Sequence, residues 1–154
     1  MDTNAVLHLW AFSDPRVQAL RQAVEGGQLD WLGTPTMRQE LAQVLGRGVA
    51  AGHGAVGALV LAQWDRWTRP WPPSCASACQ HSLRCRDAAD QKFLDLALDS
   101  KAQWLLTSDK DLLSLARRAA RLGLLIRSPQ AWTGGKKPPQ PEGGGGLSGA
   151  GVGA

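Results

Sequence analysis

No run of about 18 consecutive apolar residues occurs in this 154-residue chain, so a membrane-spanning helix is not expected. The opening Met1-Asp2-Thr3-Asn4 has no basic region leading into an apolar stretch, so no secretory leader is expected either. Cysteine is scarce. Cys75, Cys79 and Cys85 are the only three, and their odd number and close spacing suit neither a paired disulfide framework nor the usual zinc patterns. His81 lies among them, but reduced thiols in a cytoplasmic protein are the better reading. Nor is charge of one sign concentrated: 17 basic against 13 acidic residues leave a net +4. A mildly basic body is compatible with a polyanionic partner without requiring one.

What is present fits one domain, with 44% hydrophobic residues over a length sufficient for a core. From Gly134 the composition shifts to a glycine- and proline-rich stretch that holds nine of the 18 glycines. It has almost nothing to offset the entropy cost of ordering a backbone. A domain over 1–133 and a disordered tail over 134–154 are therefore expected.

Within the body, helix and strand signals alternate. Ser13-Asp14-Pro15 opens a helix with Val17, Leu20, Ala23 and Val24 on one face, stopped at Gly26-Gly27. Leu29–Leu32 is a short strand candidate. Thr34-Pro35 opens a second helix with Met37, Leu41, Val44 and Leu45 inward. A helix over Ala55–Trp67 is broken by Arg69-Pro70-Trp71-Pro72-Pro73. A helix from Asp90 to Ser100, a strand over Gln103–Thr107, a helix over Asp111–Leu122 closed by Gly123, and a last strand over Leu124–Ile126 complete the pattern. Strands separated by helices imply an α/β fold with a parallel sheet.

Four acids stand out by position. Glu40 shares the apolar stripe of Met37 and Val44, and Asp90 stands in the same relation to Leu94 and Ala97. Asp109 follows Thr107 at the carboxyl end of a strand, the edge where parallel sheets place ligands. Asp2 precedes Thr3-Asn4 and the apolar Ala5-Val6-Leu7. Asp90 or Asp109 alone reads equally well as a helix cap or a solvated group. As a set, carboxylates that converge repel one another and call for a cation, and oxygen donors favour Mg²⁺ or Mn²⁺ over zinc.

These residues resemble the PIN-domain nucleases, in particular bacterial toxins of toxin–antitoxin pairs. Asp2-Thr3-Asn4 is similar to the family's opening aspartate motif, and Glu40-Leu41 within Thr36–Leu45 to its second-acid helix. Cys85-Arg86-Asp87-Ala88-Ala89-Asp90 resembles the segment leading into the third-acid helix. Leu106-Thr107-Ser108-Asp109-Lys110-Asp111-Leu112-Leu113 resembles the strand-end motif. The likeness runs through most of residues 1–132.

The resemblance implies a PIN-like three-layer α/β/α fold with a central parallel sheet. It implies Asp2, Glu40, Asp90 and Asp109 as catalytic, metal-binding acids, with Asn4, Thr107 and Asp111 in support. It implies Mg²⁺ or Mn²⁺ as cofactor, RNA as substrate, hydrolysis of phosphodiester bonds, a cognate antitoxin as partner, and homodimerisation. The family normally carries a hydrophobic strand before its first aspartate, whereas only Met1 precedes Asp2 here. The resemblance therefore implies a sheet lacking its first strand, with Asp2 at a frayed terminus. That departure motivates an alternative, a truncated or degenerate PIN-like domain acting only as a protein-binding module. A third reading is a structure-specific DNA nuclease. Arg38, Arg86, Lys92 and Lys110 adjoin the acids and are candidates for phosphate contacts, and Trp71 or Trp104 for base stacking.

Overall fold

A computed structural model describes residues 1–12, 14–49, 57–72 and 82–134. The chain begins with a helix, α1 (Thr3–Trp10), which the sequence reading left without an element. Asp2 caps it, accepting the Ala5 N–H at 2.7 Å. Ala5, Val6, Leu7, Leu9 and Trp10 are all buried, so α1 is apolar around most of its circumference and runs through the core.

A 3₁₀ turn (Pro15–Val17) capped by Asp14 leads into α2 (Gln18–Glu25). Val17, Leu20, Ala23 and Val24 are its buried residues, the face expected from their spacing, and Gly26 ends it. Strand β1 (Trp31–Gly33) and helix α3 (Pro35–Gly46) follow, with the Thr34 hydroxyl capping α3 at the Met37 N–H. Met37 and Leu41 are fully inside, while Val44 and Leu45 are half-buried.

Helix α4 (Gly57–Trp67) runs directly into β2 (Thr68–Pro70), which pairs with β1 in parallel. The sequence reading took Arg69-Pro70 only as a breaker. Pro70 is tolerated because the bond at that end comes from the Trp71 N–H to the Gly33 carbonyl, 2.8 Å, so proline's missing donor falls on the other edge. The two strands and α4 pack tightly. Trp31 and Trp64 meet edge to face, with ring centres 4.9 Å apart. A Cβ on Gly33 would stand 2.6 Å from both Thr68 Cγ2 and Trp64 Cζ2. Gly33→Ala should therefore lower stability by about 1–3 kcal/mol through overpacking. A urea midpoint equal to that of the parent chain would contradict this packing.

The second half contains α5 (Gln91–Asp99), β3 (Trp104–Leu106), α6 (Lys110–Ser114), α7 (Ala116–Ala120) and β4 (Leu125–Arg127), with a final 3₁₀ turn over Pro129–Ala131. β3 and β4 also pair in parallel. The single helix expected over 111–122 is instead two short ones. Leu115 at the junction donates to the Leu112 carbonyl, three residues back, which tightens the turn and breaks the α ladder. Gly123 closes α7 with φ of 82°.

The alternation of helices and parallel strands is the expected α/β class. Among the described residues, the four strands form two separate parallel pairs, β1·β2 and β3·β4. Trp132 is buried against the body, and all but the first residue of the glycine-rich tail lies outside the described residues. So do Cys75, Cys79 and His81. Cys85 is a free, half-buried thiol whose pKa is raised, chiefly by burial. No helix among the described residues is long and apolar enough to cross a membrane.

Candidate active site

Asp2 is 3% exposed and tied down on three sides. Its N–H donates to the Leu106 carbonyl at 3.0 Å, Oδ1 accepts the Ala5 N–H, and Oδ2 accepts the Thr107 hydroxyl. The expectation of a frayed first acid is thus corrected. The neighbouring end of β3 and the first turn of α1 hold it without a strand before it.

Thr107 is fully buried and serves two acids at once. While its hydroxyl donates to Asp2, the same oxygen accepts the Asp109 N–H at 2.9 Å. Asp109 in turn caps α6, its Oδ1 accepting from the Asp111 and Leu112 N–H groups at 2.8 and 3.0 Å. The capping role is therefore real for Asp2 and Asp109. For Asp109 it uses one oxygen, and Oδ2 accepts no hydrogen bond from the described residues. Asp111 is half-buried in the first turn of α6 and contributes its backbone to this cap.

Asp90 behaves differently. It precedes α5, yet its side chain makes no capping bond. Its pKa is pushed up to about 6, first by burial, then by the charges of Asp109, Asp87 and Asp2, with Lys92 pulling the other way. The pKa of Asp2 is raised as well, again chiefly by burial. The Thr107 and Ala5 bonds oppose that rise, and Asp109 adds to it. Asp2, Asp90 and Asp109 thus share one electrostatic neighbourhood. Asp87 is exposed, and its carboxylate accepts the Ala89 N–H at 2.8 Å.

Glu40, on α3, is held apart from this trio by other partners. Its Oε1 accepts the Thr3 hydroxyl at 2.8 Å, and its Oε2 pairs with the Lys92 ammonium. Lys92 also donates to the Ala89 carbonyl at 2.6 Å. Thr3 was missed by sequence reasoning, which favoured Asn4. Asn4 is exposed on α1 and has no hydrogen bond to the acids. Only knowledge that residues 3–10 are helical could have turned Thr3 toward Glu40.

Of the basic candidates, Arg38 is committed to Asp65 through two bonds of 2.7 Å each. Arg86 and Lys110 are exposed and form no ion pair among the described residues. Trp71 is half-buried at the end of β2, and Trp104 is half-buried in β3.

Among the described residues no three His, Cys, Asp or Glu side chains stand ready around one ion. The chemistry of the donors still fits a divalent cation. They are all oxygen, they raise one another's pKa, and Asp90 and Asp109 Oδ2 have no competing donor. Asp90 and Asp109 are therefore the residues best placed to hold a metal directly. Asp2 and Glu40 are occupied by Thr107, Ala5, Thr3 and Lys92.

Comparison with curated proteins and with solved structures gives no match. A family model described as PIN domain matches residues 1–111, a span that includes all four acids and the Thr107 bridge. This chain belongs to the PIN-domain family, whose members are generally nucleases.

Proposed function

We propose that the chain is a Mg²⁺- or Mn²⁺-dependent endoribonuclease, the toxin of a toxin–antitoxin pair. The observation that carries the reading is the Thr107 bridge. It binds Asp2 and Asp109 into one unit beside an Asp90 carboxyl that has no hydrogen bond of its own and is crowded by both. A divalent cation bound there would supply Lewis acidity and a water of lowered pKa. Asp90 and Asp109 would hold it. Thr107 fixes the backbone at Asp109, and Asp2 fixes the direction of the Thr107 hydroxyl. Arg86 and Lys110, exposed beside the acidic segments, would meet the phosphates of a single strand. The resemblance of the four motifs to bacterial toxins supports RNA as the substrate, a cognate antitoxin as protein partner and a homodimer as the working form.

One observation favours a second reading, a binding module without activity: Lys92 neutralises Glu40, the place a cation would take. Incubating the purified chain with single-stranded RNA and DNA of one sequence separates these readings. With added Mg²⁺ or Mn²⁺ the RNA should be cut internally, the DNA spared, and all cleavage lost in EDTA. Cleavage that persists in EDTA sinks the metal mechanism, and DNA cut as fast as RNA sinks the substrate assignment. RNA left intact with either metal supports the binding module.

A further inference from the structure

Strands β1 and β3 each have a partner on one edge and, among the described residues, no strand on the other. In a strand the N–H and C=O of one residue point to the same side, and that side alternates from residue to residue. Trp71 donates to the Gly33 carbonyl, and the register sets Trp31 opposite Thr68, so Trp31 and Gly33 face β2. Leu32 faces away. On the other pair, Leu125 donates to the Gln103 carbonyl and Thr107 to that of Arg127, so residues 103, 105 and 107 face β4. Trp104 and Leu106 face away. The Leu106 carbonyl accepts the Asp2 N–H at 3.0 Å, which sets Met1 opposite Leu106 in parallel register, a single rung of a ladder that goes no further.

Between these edges lies a cleft of about 290 Å³, walled by Met1, Leu32, Phe93, Leu96, Trp104 and Leu106 among others. Its walls are apolar, but the backbone of Leu32 and Trp104 presents polar peptide groups. Water leaves the walls wetted, and a purely apolar ligand leaves the peptide groups unpaired. An extended polypeptide satisfies both, because its peptide groups bond to either edge while its apolar side chains fill the cleft.

We propose that this cleft is a strand-acceptor site. It takes one extended apolar segment of another polypeptide, hydrogen-bonded in parallel to β1 and β3. The chain's own apolar segments among the described residues lie in helices, in paired strands or in the short links between them. Residues 13, 50–56, 73–81 and 135–154 hold only Val56, Leu147 and Val152 as large aliphatics, a composition unlike that of a buried strand. This proposal is independent of the nuclease reading.

The test is amide hydrogen exchange by NMR on the full chain, with and without the acetylated, amidated peptide Lys-Val-Leu-Val-Lys. A control peptide has its central leucine replaced by proline, which removes a donor. Strand addition should slow exchange at the Leu32 and Trp104 N–H groups by at least about tenfold and leave Trp31, Gly33 and Leu105 unchanged, since those already face a partner. The proline peptide should give no protection. Unchanged exchange at Leu32 and Trp104 with the active peptide overturns the proposal, as does equal protection by the proline peptide. Two other occupants are distinguishable. Protection that rises with protein concentration without peptide points to a second copy. Protection produced only when Val-Leu-Val-Leu is fused before Met1 points to an intramolecular strand. Either result overturns a site for another polypeptide.

Discussion

Asp90→Asn should produce a protein that is at once more stable and nearly inactive. At about pH 7.5, RNA cleavage should fall by at least roughly a hundredfold, the scale of losing one group that stabilises charge in a transition state. Stability should move the other way. The folded pKa of about 6 lies above the ordinary 3.8, so the native state holds its proton more tightly than the unfolded one. This contribution is present in full below the unfolded value and is lost as pH rises through about 6. Above that, the ionised carboxylate weighs against folding. The full shift corresponds to about 3 kcal/mol, and screening by solvent at a carboxyl this open reduces it to about 1 kcal/mol. In EDTA the variant should therefore melt about 2–4 °C higher than the parent near neutral pH. Near pH 4 the two should differ far less. Because the Asp90 side chain caps nothing, no loss of a helix cap confuses the result. A variant that cleaves RNA like the parent would remove Asp90 from the site. A variant that melts lower in EDTA at neutral pH would deny the crowding.

Thr107→Val should be the most damaging small substitution near the acids. Valine matches threonine in shape, so packing is kept and only the hydroxyl goes. Two buried groups then lose a partner together, Asp2 Oδ2 its donor and the Asp109 N–H its acceptor. Leaving both unsatisfied costs about 2–4 kcal/mol, or roughly 5–10 °C in melting temperature. Cleavage should fall with it, since Asp109 loses the bond that fixes its backbone. Thr107→Ser, which retains the hydroxyl, should recover most of both. Differential scanning calorimetry of the three proteins is the measurement, and a valine variant that melts with the parent would mean the bridge carries no energy.

The parts of this molecule written in local pattern were readable without coordinates. The buried faces of α2 and α3 followed from helical spacing, and their ends from Asp14, Thr34 and Gly26 acting as caps and stops. The parts set by tertiary packing were not. Residues 3–10 are apolar on nearly every side, and such a run carries no period by which to tell helix from strand. β2 is three residues long and contains a proline, so only its register with β1 reveals it. The acids were legible as a set, but their partners were not. Nothing local to Glu40 foretells that Thr3 and Lys92 converge on it, 37 and 52 residues away in sequence.

Asp2, Asp90 and Asp109 each stand at the amino end of a helix, α1, α5 and α6 respectively. The peptide dipoles of those helices present their positive ends to the carboxylates. The fold thus brings a diffuse, permanent positive potential to the place where a cation would otherwise be needed. Three acids can gather there in the resting protein without forcing it apart. Salt screens such a potential, so the metal-free chain should lose stability on addition of an inert electrolyte, even though the same salt also weakens the mutual repulsion of the acids.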